Sequence, residues 1–270
     1  MNKLRDWLLT LREEPPAWAA RVLGAGCLGL VLAIWFGLTW GEAEQRVISP
    51  IILPSPPEVF SSLQGLFSER ALIPSIAATL RRVLLGFGLS MLVGVPLGIM
   101  AGSWRSIQSF LAPLVLFGRN IPIAALIPLT ILWFGIEETQ KVMFIFVATV
   151  PFIFSDAVSG VIGIPQRYVE TAKTLGASDW QVVTKVLVPL SLPDIYTSLR
   201  HLFGLAFGYI MLAELINAGH GLGFLLATSQ RRGLTEHIFL ILMIIGLLAF
   251  CIDRGLVWFQ RGLFPYRKDV

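Results

Sequence analysis

An all-α, polytopic membrane protein with about six transmembrane helices is what this sequence predicts, and three observations carry that prediction. Apolar residues fill 55% of the 270 positions before glycine is counted, and charged residues fill 14%. Soluble domains run near ~45–50% apolar with glycine included and ~25% charged, so too little polar surface remains here to cover a globule. The mean hydropathy of +0.75 agrees. The apolar residues also cluster in runs of about 20, the length that carries a helix across the hydrocarbon core. This balance excludes intrinsic disorder, a basic nucleic-acid module and a disulfide scaffold.

The elements follow in chain order. Residues 4–11 suit a short amphipathic helix on the membrane surface, stopped by Pro15-Pro16. The first span is expected over 22–40, after a cytoplasmic segment 1–21, and no signal-peptide cleavage site is evident. A polar, proline-rich stretch, 41–75, contains LPSPPEV at 53–59. The second span covers about 75–101, with Arg81 and Arg82 near its end. The third, 107–133, is interrupted by Arg119 and by Pro113, Pro122 and Pro128. The fourth, fifth and sixth are expected over 141–161, 195–215 and 237–258, with a tail at 259–270. The membrane domain as a whole is read as 22–258.

Glycines and prolines recur inside these spans, as in GFGLSMLVGVPLG at 86–98. Small residues let helices approach closely in lipid, and prolines bend them. A bundle packed and bent in this way suits a path more than a simple anchor. Cys27 and Cys251 lie in apolar runs and read as small buried hydrophobes. His201, His220 and His237 have no metal-ligand spacing, and no cofactor is implied.

Lys and Arg number 21 against 17 Asp and Glu, a net charge of +4. An even number of spans puts both termini on one side. That side would hold Lys3, Arg5, Arg12, Arg21, Arg105, Arg167, Lys173, Lys185, Arg200, Arg254, Arg261, Arg267 and Lys268. The other would hold Arg46, Arg70, Lys141, Arg231 and Arg232. Positive residues favour cytoplasmic loops, so both termini are read as cytoplasmic.

The interval 163–193, between the fourth and fifth spans, is the polar exception: GIPQRYVETAKTLGASDWQVVTKVLVPLSLP. Pro165 suits a first helical turn, and a helix runs to Leu175 with Gly176 as its left-handed stop. Ser178 and Gln181 form a capping box for a second helix that includes Trp180, Val183 and Leu187 and ends near Pro189. Tyr168, Ala172 and Leu175 share one face of the first helix; Arg167, Glu170 and Lys173 form a ladder on another. Such a pair is suited either to docking into a cleft of a soluble partner or to packing back on its own bundle. Leu175 and Trp180 are the side chains read as facing the cleft.

Glu170-Thr171-Ala172, three residues, Gly176, nine residues, Val186, one residue and Val188-Pro189 resemble the EAA signature of permease subunits of ATP-binding-cassette importers. Thr171, Val186 and Val188 stand where that signature usually has Ala, Ile and Leu. LPSPPEV at 53–59, RRVLLGFGLSMLVGVPLGIMAG at 81–102 and IPIAALIPLTILWFGI at 121–136 extend the similarity to the nitrate, bicarbonate, sulfonate and taurine branch. The resemblance implies an importer-type permease fold in a prokaryotic plasma (inner) membrane. It implies a permease homodimer or heterodimer, two cytoplasmic ATPase subunits and an extracytoplasmic substrate-binding protein. It assigns Glu170, Ala172 and Gly176, within the motif that includes Thr171 and Pro189, to ATPase coupling. Some relatives of this branch serve pyrimidine or other cofactor precursors.

No GxxxxGK[ST] run is present, so ATP hydrolysis is expected on separate subunits. Ser155 with Asp156, and His220 with Glu214, lack a third group or a nucleophile elbow, so no catalytic residues are assigned. A secondary transporter driven by an ion gradient is the competing class; inverted repeats would favour it, and no convincing repeat is found. Arg119, Asp156 and Glu214 are ionisable groups at or near membrane depth. Arg119 is open to three readings: a structural ion pair, an interfacial position, or part of a pathway. A pathway Arg119 suits an anion, whereas Asp156 in the same cavity opposes one. Glu214 precedes NAGHGLGFLL at 217–226, a loop that either meets a delivering protein or re-enters the bundle.

Overall fold

The computed structural model describes residues 15–42, 44, 46–68, 70–216 and 218–266. The stretch expected at 4–11, and Lys3, Arg5, Arg12, Arg267 and Lys268, lie outside the described residues. Five helices among those described are long and apolar enough to cross a bilayer, and a bent pair, Arg105–Asn120 with Ile123–Phe134, makes the number six if it counts as one span.

Helix α1 (Ala17–Leu38) starts directly after Pro15-Pro16, earlier than expected, with Pro16 as its N-cap. Trp35 anchors it: its indole N–H donates to the Pro54 carbonyl at 2.9 Å, and its ring stacks on Phe239. The short α2 (Pro56–Ser61) and α3 (Leu63–Ser68) follow. In α2, Ser55 is the N-cap, two prolines occupy the first turn, and the Glu58 carboxylate accepts the Ser55 N–H at 2.8 Å. The LPSPPEV segment is therefore a helix start, with proline where no N–H partner is needed. Arg46 grips Glu58 with both terminal nitrogens, at 3.0 and 2.9 Å, tying the preceding loop to this turn. Those hydrogen bonds hold the Glu58 carboxyl down to about 2, against an ordinary 4.5.

Helices α4 (Leu72–Ser103) and α7 (Glu138–Ile162) form the central pair. Their contact runs along small residues of α4 spaced four apart: Gly86, Ser90, Gly94, Gly98 and Gly102. A Cβ added at Gly98 would lie 2.5 Å from the Ala157 Cβ and 2.7 Å from the Phe154 carbonyl oxygen; one at Gly86 or Gly94 would lie 2.7 Å from Ile145 or 2.8 Å from Ile153. Thr149 donates its hydroxyl to Ser90 at 2.7 Å across the same seam. Association in lipid has no hydrophobic drive between helices, so this close approach supplies the dispersion and polar contacts that hold them. Facing α10, α7 presents another glycine: Gly160 receives Ile195, and a Cβ there would be 2.9 Å from the isoleucine Cγ1.

The expected third span, 107–133, is broken. Helix α5 (Arg105–Asn120) ends at Ile121, and after a 3₁₀ turn at Ile123–Ala125 the chain resumes as α6 (Leu126–Phe134), bent by 92°. Pro122 disfavours a helical Ile121, which is extended at φ −69° and ψ 126°.

After α7 come α8 (Gln166–Thr174), α9 (Asp179–Val182) and a π turn at Val183–Leu187. That turn leads without a break into α10 (Val188–Glu214). The second loop helix therefore does not end near Pro189. Proline has no N–H to return to Lys185, and the wider turn accommodates its ring, so the helix from Asp179 to Glu214 is continuous. Helices α11 (Leu222–Arg231) and α12 (Thr235–Leu263) complete the bundle.

A charge cluster, buried at Arg82 and Glu214 and exposed at Glu138, joins α4, α7, α10 and α11. The Arg82 side chain is 3% exposed and that of Glu214 0%. Arg82 donates from Nη1 to Glu214 and to the His220 carbonyl, each at 2.7 Å. From Nε and Nη2 it donates to both Glu138 oxygens, at 2.6 and 2.5 Å. Glu214 also accepts the Thr79 hydroxyl and, at 2.9 Å, the Gly223 N–H. The Thr79 oxygen accepts the Leu222 N–H at 3.0 Å. Two first-turn amides of α11 thus end on this cluster, where the helix dipole favours a carboxylate. His220 and Leu222, at the start of α11, are thereby tied to α4.

Two expectations about single residues are corrected. Cys27 and Cys251 are exposed on the surface of the single chain. Lys141 is not in a loop but buried in the first turns of α7, its ammonium 3.3 Å from the carbonyl oxygens of Ile136 and Glu137.

Gly98→Val should overpack a backbone contact that cannot retreat, costing roughly 1–3 kcal/mol or more. Gly88→Ala, with open space at its Cβ, should be neutral. The yield of folded, membrane-inserted protein separates the two. Glu214→Ala leaves Arg82 buried beside a lost partner and should cost roughly 3–5 kcal/mol. Thr79→Val should cost about 1–3 kcal/mol through the orphaned Leu222 amide. Both are read as a lowered Tm in detergent. Because the Glu58 pKa is depressed, its contribution is complete above the ordinary 4.5 and disappears as pH falls through about 2. Its side chain is 40% exposed, so screening keeps the contribution below about 1 kcal/mol. A carboxyl-labelled NMR titration should place Glu58 near 2 and return it toward 4.5 in Arg46→Ala.

Candidate functional site

The loop helices are built from two capping devices. Gly176, at φ +82°, ends α8 in a Schellman motif. Its N–H donates to the Lys173 carbonyl at 2.9 Å, and the Ala177 N–H reaches back to Ala172 at 3.0 Å. Ala172 and Ala177 pack together on Val161, Val182, Val183 and Leu187. An alanine followed by three residues and a glycine is therefore a packing residue and a left-handed turn at fixed separation. The corner then restarts as α9: Ser178 accepts the Gln181 N–H at 3.3 Å, and Gln181 accepts the Ser178 N–H at 2.9 Å.

Glu170 and Thr171 are exposed on α8, and the Thr171 hydroxyl turns back to the Arg167 carbonyl. Lys173 pairs with Asp179 across the corner instead of extending the ladder to Glu170. Tyr168 and Leu175 point away from the cluster that takes Ala172, so the three do not form one buried face. Leu175 is 82% exposed and Trp180 63%. One face of the Trp180 ring stacks on Trp104, 6.2 Å between centroids, at the junction of α4 and α5. Pro189 is bound into the helix, its carbonyl accepting the Tyr266 hydroxyl at 3.3 Å. The loop thus presents an acidic residue and two large apolar side chains outward, while its inner face is locked to α4, α7 and α10.

A cavity of about 570 Å³ lies between α5 and α7. Gln108, Ala112, Val115 and Arg119 face it from α5, spaced as one helical stripe; Phe154, Ser155, Val158 and Ser159 face it from α7. The Arg119 guanidinium donates to the Ser155 hydroxyl at 2.9 Å and lies 5.4 Å from the centre of the Phe152 ring. Among the described residues its partners are a hydroxyl and a ring, and no carboxylate lies within ion-pair distance. Asp156 is half-buried on α7, within electrostatic reach of Arg119 and His201. Glu214 belongs to the Arg82 cluster and not to this cavity. Ser155 serves Arg119, and His220 contributes only its carbonyl to Arg82, so neither imagined catalytic pair forms.

Sequence reasoning missed the cluster of Arg82, Glu138 and Glu214, and missed Trp104 and Gln108. The only local signal was three ionisable groups flanking apolar runs; their pairing spans 56 and 132 residues of sequence.

Residues 94–265 match the family described as binding-protein-dependent transport system inner membrane component. The chain is 34% identical over 254 residues to the taurine transport system permease protein TauC of Escherichia coli, covering 92% of this chain and 90% of that protein. It is 27% identical over 240 residues to the putative aliphatic sulfonates transport permease protein SsuC of Bacillus subtilis, covering 89% and 86%. It is 31% identical over 196 residues to the bicarbonate transport system permease protein CmpB of Synechococcus elongatus, covering 72% and 70%. Among solved structures, the inward-facing MetNI methionine ABC transporter superposes with a TM-score of 0.62 at 21% identity, covering 71% of this chain and 95% of that chain. The fold is that of an importer permease, and the matched region is a membrane component rather than a nucleotide-binding one. The chain belongs to the inner-membrane component family of binding-protein-dependent transport systems.

Proposed function

We propose that this permease pairs with a second permease chain to carry a small anionic solute inward. Nitrate, bicarbonate, sulfonates and taurine are the candidates. Two ATPase subunits are docked through residues 165–189, and an extracytoplasmic binding protein delivers the cargo. Both termini are assigned to the cytoplasm of a prokaryotic inner membrane, and the permease domain to about residues 17–263. The relatives' cargoes and the sequence's charge asymmetry support this reading.

The observation that carries it is the shape of the loop: a Schellman corner that turns Glu170, Leu175 and Trp180 outward while locking Ala172 inward. Exposed leucine and tryptophan at the tip of a membrane bundle are suited to an apolar cleft in a soluble partner. Movement of that partner reaches the bundle by two routes. Through α9 and the π turn it acts directly on α10, and through Trp180 on Trp104 it acts on the α4–α5 junction. ATP-driven closure of the partner pair opens the path outward, and hydrolysis returns it inward; no covalent chemistry occurs on this chain.

The test is reconstitution of permease, ATPase and binding protein in liposomes. Glu170→Ala and Gly176→Pro should each lower ATP-dependent uptake at least tenfold while the chain inserts at wild-type level. Gly176→Pro acts through the left-handed turn, which proline cannot adopt. Leu175→Asp should weaken ATPase co-purification. Normal uptake with both loop substitutions overturns the coupling assignment.

A further inference from the structure

The α5–α7 cavity is chemically lopsided. Its volume, about 570 Å³, falls in the range of small-molecule sites. Its walls are largely apolar, from residues such as Val115, Phe154 and Val158, and its charged group is Arg119, beside Ser155. No carboxylate lines it; Asp156 stands behind, close enough to act on Arg119 through space. It also lies beside α5, the first half of the span that breaks at Ile121-Pro122. Interrupted helices at membrane depth are tolerated where they border protein or a water-filled cavity.

We infer that this cavity is a transit subsite for an organic anion with one acidic head and a short apolar body, the head held by Arg119 and Ser155. This deepens the importer reading above and rests on it. A guanidinium has five donors in a planar fork, and Arg119 commits one of them to Ser155. The remaining donors match a sulfonate or carboxylate head. The apolar walls then discriminate. The cavity is open on one side, with Arg119 exposed, and a bare oxyanion such as sulfate gains nothing from its apolar walls beyond the contacts with Arg119 and Ser155. An alkyl chain in the same place gains about 25 cal/mol per Å² removed from water. A zwitterion such as taurine brings an ammonium group for which the lining has no carboxylate. Asp156 moderates the field of Arg119, which suits a site that must release its occupant as readily as it accepts it.

The experiment uses the assembled permease–ATPase complex, with Cys27→Ala and Cys251→Ala removing the two native thiols and Ser159→Cys placing one in the cavity wall. Alkylation of that thiol by a water-soluble maleimide is timed with butanesulfonate, taurine or sulfate present. Butanesulfonate should slow the reaction at least threefold, and taurine and sulfate should not. Arg119→Gln should abolish the protection and Arg119→Lys should restore part of it. Equal protection by sulfate, no protection by butanesulfonate (as when membrane lipid fills the groove), or protection that survives Arg119→Gln each overturns the inference. Wild-type liposomes that show no ATP-driven uptake of any anion would instead sink the importer reading, so the two failures are distinguishable.

Discussion

A guanidinium cannot be left unpaired in the interior of a membrane bundle, and Arg82 is placed there. The cost of a buried lone charge is several kcal/mol even after relaxation, so its partners must be fixed before the fold is stable. Glu214 supplies a fully buried countercharge from α10, and Glu138 a second from the start of α7. The excess acceptor capacity of Glu214 is then satisfied by Thr79 and by the Gly223 amide. One charge therefore determines where four helices meet, and it explains why a short helix returns into the bundle after α10. It also demands a bare backbone at Gly221, where a side chain would meet the Glu214 carboxyl group at 2.5 Å.

The remaining architecture separates into a fixed part and a part with room. The glycine seam between α4 and α7 and the Arg82 cluster hold one wall rigid. The α5 half of the broken span meets α7 at a single glycine, Gly118 against Pro151, and no residue of α5 is buried. Its inward stripe borders the cavity, while Phe110, Leu114 and Phe117 face outward. A path is more readily formed against the loosely held element than within the tight pair. The loop helices contact the structure on both sides of this divide, through α10 and through Trp104.

Much of this was legible in local patterns. Apolar runs of bilayer length located the long helices because lipid imposes one solution on a backbone. The Pro165 start, the Gly176 stop and the Ser178–Gln181 cap were readable because each depends on residues a few positions apart. The Gly86-to-Gly102 repeat was visible as small residues, although its partner helix was not. What escaped were contacts between distant segments: Arg82 with Glu214, Trp104 with Trp180, and the outward faces of Cys27 and Cys251. Pro189 misled for a different reason. Proline usually ends a helix, but a single wide turn can absorb it, and nothing in the local residues distinguishes those outcomes.

The continuity of the helix through that wide turn has a mechanical consequence. From Asp179 to the contact of Ile195 with Gly160 is roughly 24 Å, and from there to Glu214 roughly 29 Å, at about 1.5 Å per residue. The helix is thus a beam supported near its middle, with arms of similar length. A stiff beam would swing its far end opposite to any push at the loop, but that end is clamped by Arg82. The displacement must be taken up as bending and twist between the push and the support. The π turn at Val183–Leu187, the least regularly bonded stretch on that arm, is where such flexure concentrates. A displacement applied at the loop would therefore be shared between rotation of the helix and flexure around Pro189.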